Sequence, residues 1–144
     1  MDAKRTTIFQ LFLRLAISIS FLSAVADRLG AWGAPGTYAV AWGDWKNFVA
    51  YSQSVNSFVG VQANHVLAVI ATILETLLAV LLLTGYKIRL AAVASGVLLL
   101  CFALAMTYSF GIKQSLDYSV WTAAAASFAL STFNSYRYSI DNLG

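Results

Sequence analysis

Four stretches of this chain are long and apolar enough to read as crossings of a lipid bilayer, and no other feature constrains its fold as strongly. A spanning helix needs about 20 mostly apolar residues to cover a hydrocarbon core of roughly 30 Å. Runs of that kind, bounded by charge or Gly, lie at about 8–26, 66–85, 88–110 and 118–133. The fourth is the shortest and relies on Tyr118 and Tyr136 as interfacial ends. Composition points the same way, with 60% of the 144 residues hydrophobic and 10% charged, against about 45–50% and about 25% in soluble domains. So small a domain cannot enclose that much apolar surface, because the buried fraction grows with size. Lipid is the expected partner, and the expected architecture is an all-α membrane protein: a four-helix transmembrane bundle forming one domain over 1–144.

Orientation follows from Lys and Arg in the short connections, since positive residues stay on the cytoplasmic side. With alternating spans, Lys4, Arg5, Lys87, Arg89 and Arg137 share one side, and Arg28, Lys46 and Lys113 share the other. Both termini are therefore expected to be cytoplasmic. The first run resembles a signal peptide, with Lys4 and Arg5 before it and Ala24, Val25 and Ala26 in small-x-small form. It is longer than a signal core of roughly 7–15 residues and carries Arg14 inside, so it is expected to remain as a span. The outer connection, 27–64, holds three of the four Trp residues and the single Pro. Asp44 is placed to cap a helix in which Trp45, Phe48, Val49, Ser52 and Val55 recur at helical spacing. The expectation is a short amphipathic helix at the membrane interface.

Helices in lipid associate through close backbone approach, so small residues four apart mark candidate seams. Ala16, Ser20 and Ala24, then Ala92 and Gly96, then Ala123, Ser127 and Ser131 form such stripes. They permit a homo-oligomer without requiring one. A single Cys and a single His exclude an internal disulfide, a dithiol redox pair and a thiolate or multi-histidine metal centre. Cys101 reads as a buried apolar filler and His65 as an interfacial hydrogen-bonding residue. No basic cluster interleaved with aromatics suggests nucleic acid as a partner.

Of nine Lys and Arg and six Asp and Glu, only Arg14 and Glu75 fall within spans rather than near their ends. A charge near the bilayer centre costs at least about 2.5–3.5 kcal/mol, so the two are expected to pair. Arg14 lies roughly 9 Å in from Ile8 and Glu75 roughly 15 Å in from Gly85 at the helical rise, a difference an Arg side chain can cover. The pair is either a staple between the first two spans or a functional site in which Glu75 exchanges a proton or the pair presents polar atoms to a headgroup or quinone carbonyl. Asp27, Arg28 and Asp117 are weaker ligand-binding candidates at the outer face, with Asp117 also read as the cap of the fourth span.

Several segments together resemble the DoxX family of small bacterial membrane proteins. They are Arg14-Leu15-Ala16 through Phe21-Leu22 to Ala26-Asp27-Arg28-Leu29-Gly30 with Trp32-Gly33, and Glu75 followed by Leu81 through Ala92 with its basic turn. Trp42 to Phe48, Gly111-Ile112-Lys113 and Leu116 to Ser119 are similar to a subgroup. The resemblance implies a four-helix bundle in the bacterial inner membrane. It also implies a link to thiosulfate-to-quinone oxidoreductases or redox-stress complexes, with Arg14 and Glu75 carried over by position. The functional expectation is a quinone-associated or accessory subunit of a membrane redox process, with no intrinsic cofactor. Its electrons would come from a quinone or a partner subunit. The alternatives are a noncatalytic scaffold for envelope proteins and a carrier of a small solute or protons.

Overall fold

The computed structural model describes residues 3–142. Its helices are α1 (Ala3–Arg28), α2 (Trp45–Val55), α3 (Val61–Thr84), α4 (Ile88–Phe110), α5 (Ile112–Asp117) and α6 (Val120–Ser131), followed by a 3-10 turn at Ile140–Asn142. Among the described residues there is no strand. Three helices, α1, α3 and α4, are long and apolar enough to cross a membrane. α1 and α3 both begin about five residues before their apolar runs, because the polar residues ahead of each run continue the helix. α3 stops at Gly85, whose left-handed φ of 76° lets its N–H reach the Leu81 carbonyl. α4 occupies the expected span.

The fourth span differs. The stretch expected at 118–133 forms only the 12-residue α6, about 18 Å long at 1.5 Å per residue. Tyr118 is the C-cap of α5, and Ser119 turns left-handed at φ 57°, so the helical path breaks before Val120. Asp117 therefore does not cap α6. It ends α5 and forms an exposed ion pair of 2.5 Å with Lys113 one turn back.

α1 packs along α3, and α4 packs along α6 and α3. The buried stripes are polar as well as apolar, while large apolar side chains such as Phe12, Ile19, Ile73, Leu77 and Leu90 face outward. Such inversion suits a lipid solvent, where polar groups must find partners inside the protein. In α1 the inward positions are Gln10, Arg14, Ile17, Ser18, Phe21 and Val25. Ala16 and Ser20, expected on a packing seam, are exposed. Arg14 must face its partners, and helical spacing then sends Ala16 and Ser20 to other faces. The α4 seam holds, for a Cβ on Gly96 would meet the Phe128 ring at 2.6 Å. Cys101 lies on the outward side of α4 and is exposed, not buried.

α2 forms as its spacing suggests, with the Asp44 carboxylate accepting from Asn47 N at 2.7 Å. Its buried face of Phe48, Ser52 and Val55 lies against protein. Ser52 Oγ donates to Asn64 Oδ1 at 2.8 Å, and Asn64 Nδ2 donates to the Val49 carbonyl at 3.2 Å, locking α2 to α3.

Two ends can be distinguished. The loop end carries the 29–44 connection, α2 and α5, and the turn end carries the α3–α4 turn and residues 134–142. At the turn end the Asp141 carboxylate accepts from Lys87 N at 2.9 Å and Ile88 N at 3.2 Å, so an acid far along the chain caps α4. Replacing Gly96 by Leu should wedge Phe128 from α4 and lower stability by about 1–3 kcal/mol. Thermal unfolding in detergent checks this, and an unchanged midpoint would contradict the α4–α6 seam.

Candidate functional site

The last residue of α1, Arg28, turns its side chain along α3. Its Nη1 donates to Thr72 Oγ1 at 2.8 Å and forms an ion pair with Glu75 Oε2. Thr72 and Glu75 are three residues apart and share one helix face. Both charged side chains are buried, with 4% and 5% of their surface exposed. The Arg28 guanidinium carbon lies 3.9 Å from the Phe48 ring centroid and 5.5 Å from that of Trp42. Trp42 in turn contacts Phe48 and Tyr51, with centroids 5.1 Å and 5.5 Å apart. A cation pressed against aromatic faces gains electrostatic attraction where water is excluded. Arg28 Nε is buried and has no hydrogen-bond partner.

Asp27 holds this aromatic cover in place. Its carboxylate accepts from the backbone N–H groups of Ala41 at 2.9 Å and of Trp42 and Gly43 at 2.8 Å each. Such charge-assisted bonds are stronger than neutral ones. The loop doubles back so tightly that a Cβ on Gly43 would meet Pro35 N at 2.5 Å, and the position has φ 71°. Only glycine suits it. Outside the spans, burial raises the Tyr51 phenol above its ordinary pKa, and the neighbouring Tyr118 adds to the rise.

The expected Arg14–Glu75 pair is not formed. Arg14 lies at the turn end, where Nε donates to the Leu82 carbonyl at 2.9 Å and Nη2 to that of Leu83 at 3.3 Å. Its Nη1 donates to the carbonyls of Arg137 and Tyr138 at 3.1 and 3.2 Å. Ile8 and Gly85 do not share one plane across the bilayer, for Arg14 sits level with the last turn of α3. That turn exposes carbonyls with no intrahelical partner and carries the negative end of the helix dipole. The five guanidinium donors of Arg14 reach four carbonyls here, more acceptors than the two oxygens of a single carboxylate would offer them.

Of the residues singled out from sequence, Asp27, Arg28 and Glu75 thus converge at the loop end. Arg14 is separate from them, and Asp117 lies on the exposed surface. His65 is exposed beside Trp45, with ring centroids 6.3 Å apart. Sequence reasoning missed Trp42 and Phe48 as the cover of a charge and Asp141 as a cap. Trp42 had a usable signal in its motif beside Gly43, but Asp141 acts across 54 residues and had none. Among the described residues no three His, Cys, Asp or Glu side chains gather as a metal site. Two shallow grooves lie elsewhere, one at Phe110, Lys113 and Tyr118 and one at Phe58, Cys101 and Tyr108. Neither is lined by the buried pair.

A family model described as DoxX matches residues 9–110. No match was found among curated proteins or among solved structures. The matched region contains Asp27, Arg28, Trp42 and Glu75, and ends before α5 and α6.

Glu75 should respond to Arg28 rather than to Arg14. Infrared difference spectra, with the band identified by its loss in Glu75→Gln, should change in Arg28→Gln and match the parent in Arg14→Gln. The opposite pattern would restore the Arg14 pairing. Removing one partner of a buried pair costs about 3–5 kcal/mol, whereas an Arg28→Met, Glu75→Leu double replacement should recover much of that loss.

Proposed function

Since the chain belongs to the DoxX family, we propose that this membrane protein is a quinone-associated or accessory subunit of a redox process in the bacterial inner membrane. In this reading α1, α3, α4 and α6 cross as one domain, with α2 at the interface and both termini cytoplasmic. Exposed Arg5, Lys87, Arg89 and Arg137 at the turn end support that orientation.

The observation that carries the functional reading is the buried, unpartnered Arg28 Nε under Trp42 and Phe48, beside Glu75. An orphaned buried donor costs about 1–3 kcal/mol, more when charged, and a carbonyl acceptor would relieve that cost. The donor and the flat rings fit a quinone head, so the residues present suit the group. A bound quinone would supply two-electron, two-proton redox chemistry. Arg28 would hold a carbonyl oxygen, Trp42 and Phe48 would flank the ring and exclude water, and Glu75 would hold a proton on Oε1 while Oε2 keeps its pairing with Arg28 Nη1. The loop pinned by Asp27 would have to move to admit such a head. With one Cys in the chain, electrons would pass to or from a partner subunit.

A scaffold role is favoured by a different observation. Tyr38 is 97% exposed and Trp32 61% exposed on a loop whose far end Asp27 fixes, a presentation suited to another envelope protein. The carrier reading rests on Glu75 alone.

Solvent extraction of purified protein should yield quinone in near-stoichiometric amount from the parent and little from Glu75→Gln or Trp42→Ala variants that remain folded. A folded parent without quinone would remove this reading. Partner capture abolished by Trp32→Ala with Tyr38→Ala, at unchanged quinone content, would favour the scaffold.

A further inference from the structure

Among the described residues, four exposed cations at the turn end have no acid within ion-pair distance. Arg5, Lys87, Arg89 and Arg137 are all exposed there. Both ion pairs among the described residues, Arg28–Glu75 and Lys113–Asp117, lie at the loop end. Asp141, the described acid at the turn end, has its carboxylate engaged by two α4 amides. At the loop end, by contrast, Lys46 and Lys113 lie among Asp44 and Asp117. The asymmetry is one of pairing as well as of number.

The cations are also gathered. Gln10 Nε2 and Arg14 Nη1 both donate to the Arg137 carbonyl at 3.1 Å, which ties the residue to α1 little more than one turn beyond Arg5. Arg89 Nη2 reaches the Phe133 carbonyl at 3.4 Å, and Asp141 N donates to the Gly85 carbonyl at 3.2 Å, which joins the tail to the α3–α4 turn. Lys87 and Tyr138 hold left-handed backbone, φ 48° and 56°, which non-glycine residues adopt at a cost. Asp141 bonds the amide of the first and Arg14 the carbonyl of the second. Tyr86 and Tyr138 are exposed beside these cations, 44% and 78%, as aromatic residues at headgroup depth are.

We propose that the turn end is a binding surface for anionic phospholipid headgroups, with Arg89 and Arg137 as the phosphate-binding forks and Arg5 and Lys87 as flanking charges. A guanidinium presents paired donors that match phosphate oxygens. Clustered cations directly outside membrane helices attract anionic leaflets over a range set by ionic strength. The fixed tail provides what a loose basic segment lacks, because the forks need not be ordered when a headgroup arrives.

The test uses the full chain purified in detergent and offered an equimolar mixture of phosphatidylglycerol and phosphatidylcholine, with retained lipid counted by native mass spectrometry. The parent should prefer the anionic lipid by on the order of thirtyfold, as two cation contacts supply. The preference should collapse towards parity in Arg89→Gln with Arg137→Gln and persist in Lys46→Gln with Lys113→Gln. Thermal unfolding of both double variants should stay close to the parent, since the exposed Arg89–Phe133 bond and Lys113–Asp117 pair that they remove contribute little. Equal retention of the two lipids by the parent, or full preference in the Arg89 and Arg137 variant, overturns the proposal. Displacement of bound lipid by millimolar inorganic phosphate overturns it too, by making a free anion the occupant.

Discussion

Two arginines on one helix set the register of the whole bundle. Arg14 and Arg28 stand about four turns apart on α1, roughly 21 Å along the axis. Each is held by α3: Arg14 by the carbonyls of its last turn, Arg28 by Thr72 and Glu75. In a medium without water neither guanidinium can be left unpaired. A slip of one helical turn between α1 and α3 would orphan both at once. The apolar contacts of Ile17 and Phe21 with Leu78 and Leu82 then fill the interval between the two polar clamps. Those contacts could slide with little penalty in lipid; the clamps could not.

The same constraint explains which parts of the molecule were legible in its sequence. Long apolar runs betray α1, α3 and α4 because their length is dictated by bilayer thickness, and Asp44 betrays α2 because its cap is local. The fourth run yields a helix shorter than its apolar length suggests, because apolar composition says nothing about a backbone break such as that at Ser119. The charge pairing was misjudged for a geometric reason. Arg28 was assigned to the outer surface from the position of its Cα, whereas its side chain runs back beside α3 and brings its charge to Glu75. Long cationic side chains routinely separate charge from backbone in this way. The small-residue stripe of α1 failed for a related reason: the helix face is chosen by its costliest residue, Arg14, and the small residues take whatever faces remain.

Asp27 and Arg28 show how adjacent residues of opposite charge take different tasks. Consecutive helical positions diverge by about 100°, so the pair points at different partners instead of at each other. Asp27 collects three loop amides and Arg28 enters the α1–α3 interface. The two tasks meet at Trp42, whose amide is held by Asp27 and whose ring lies over Arg28. Loop order and charge burial are therefore linked through one residue.

That link decides what access to the buried pair would require. Lifting the cover means releasing amide bonds to a carboxylate, each worth about 1.5–3 kcal/mol, and exposing the Phe48 and Trp42 faces. A small polar solute cannot recover this by bonding to Arg28 Nε alone, since one hydrogen bond replaces three. An occupant that brings an apolar ring as well as an acceptor can, because it rebuilds the aromatic contact with the cation while satisfying the free donor. Under the proposed quinone reading, the closed site would select against water and simple ions and in favour of flat amphiphiles. On that reading the step that controls entry would lie at Asp27, which holds the loop amides, rather than at the charges it shelters.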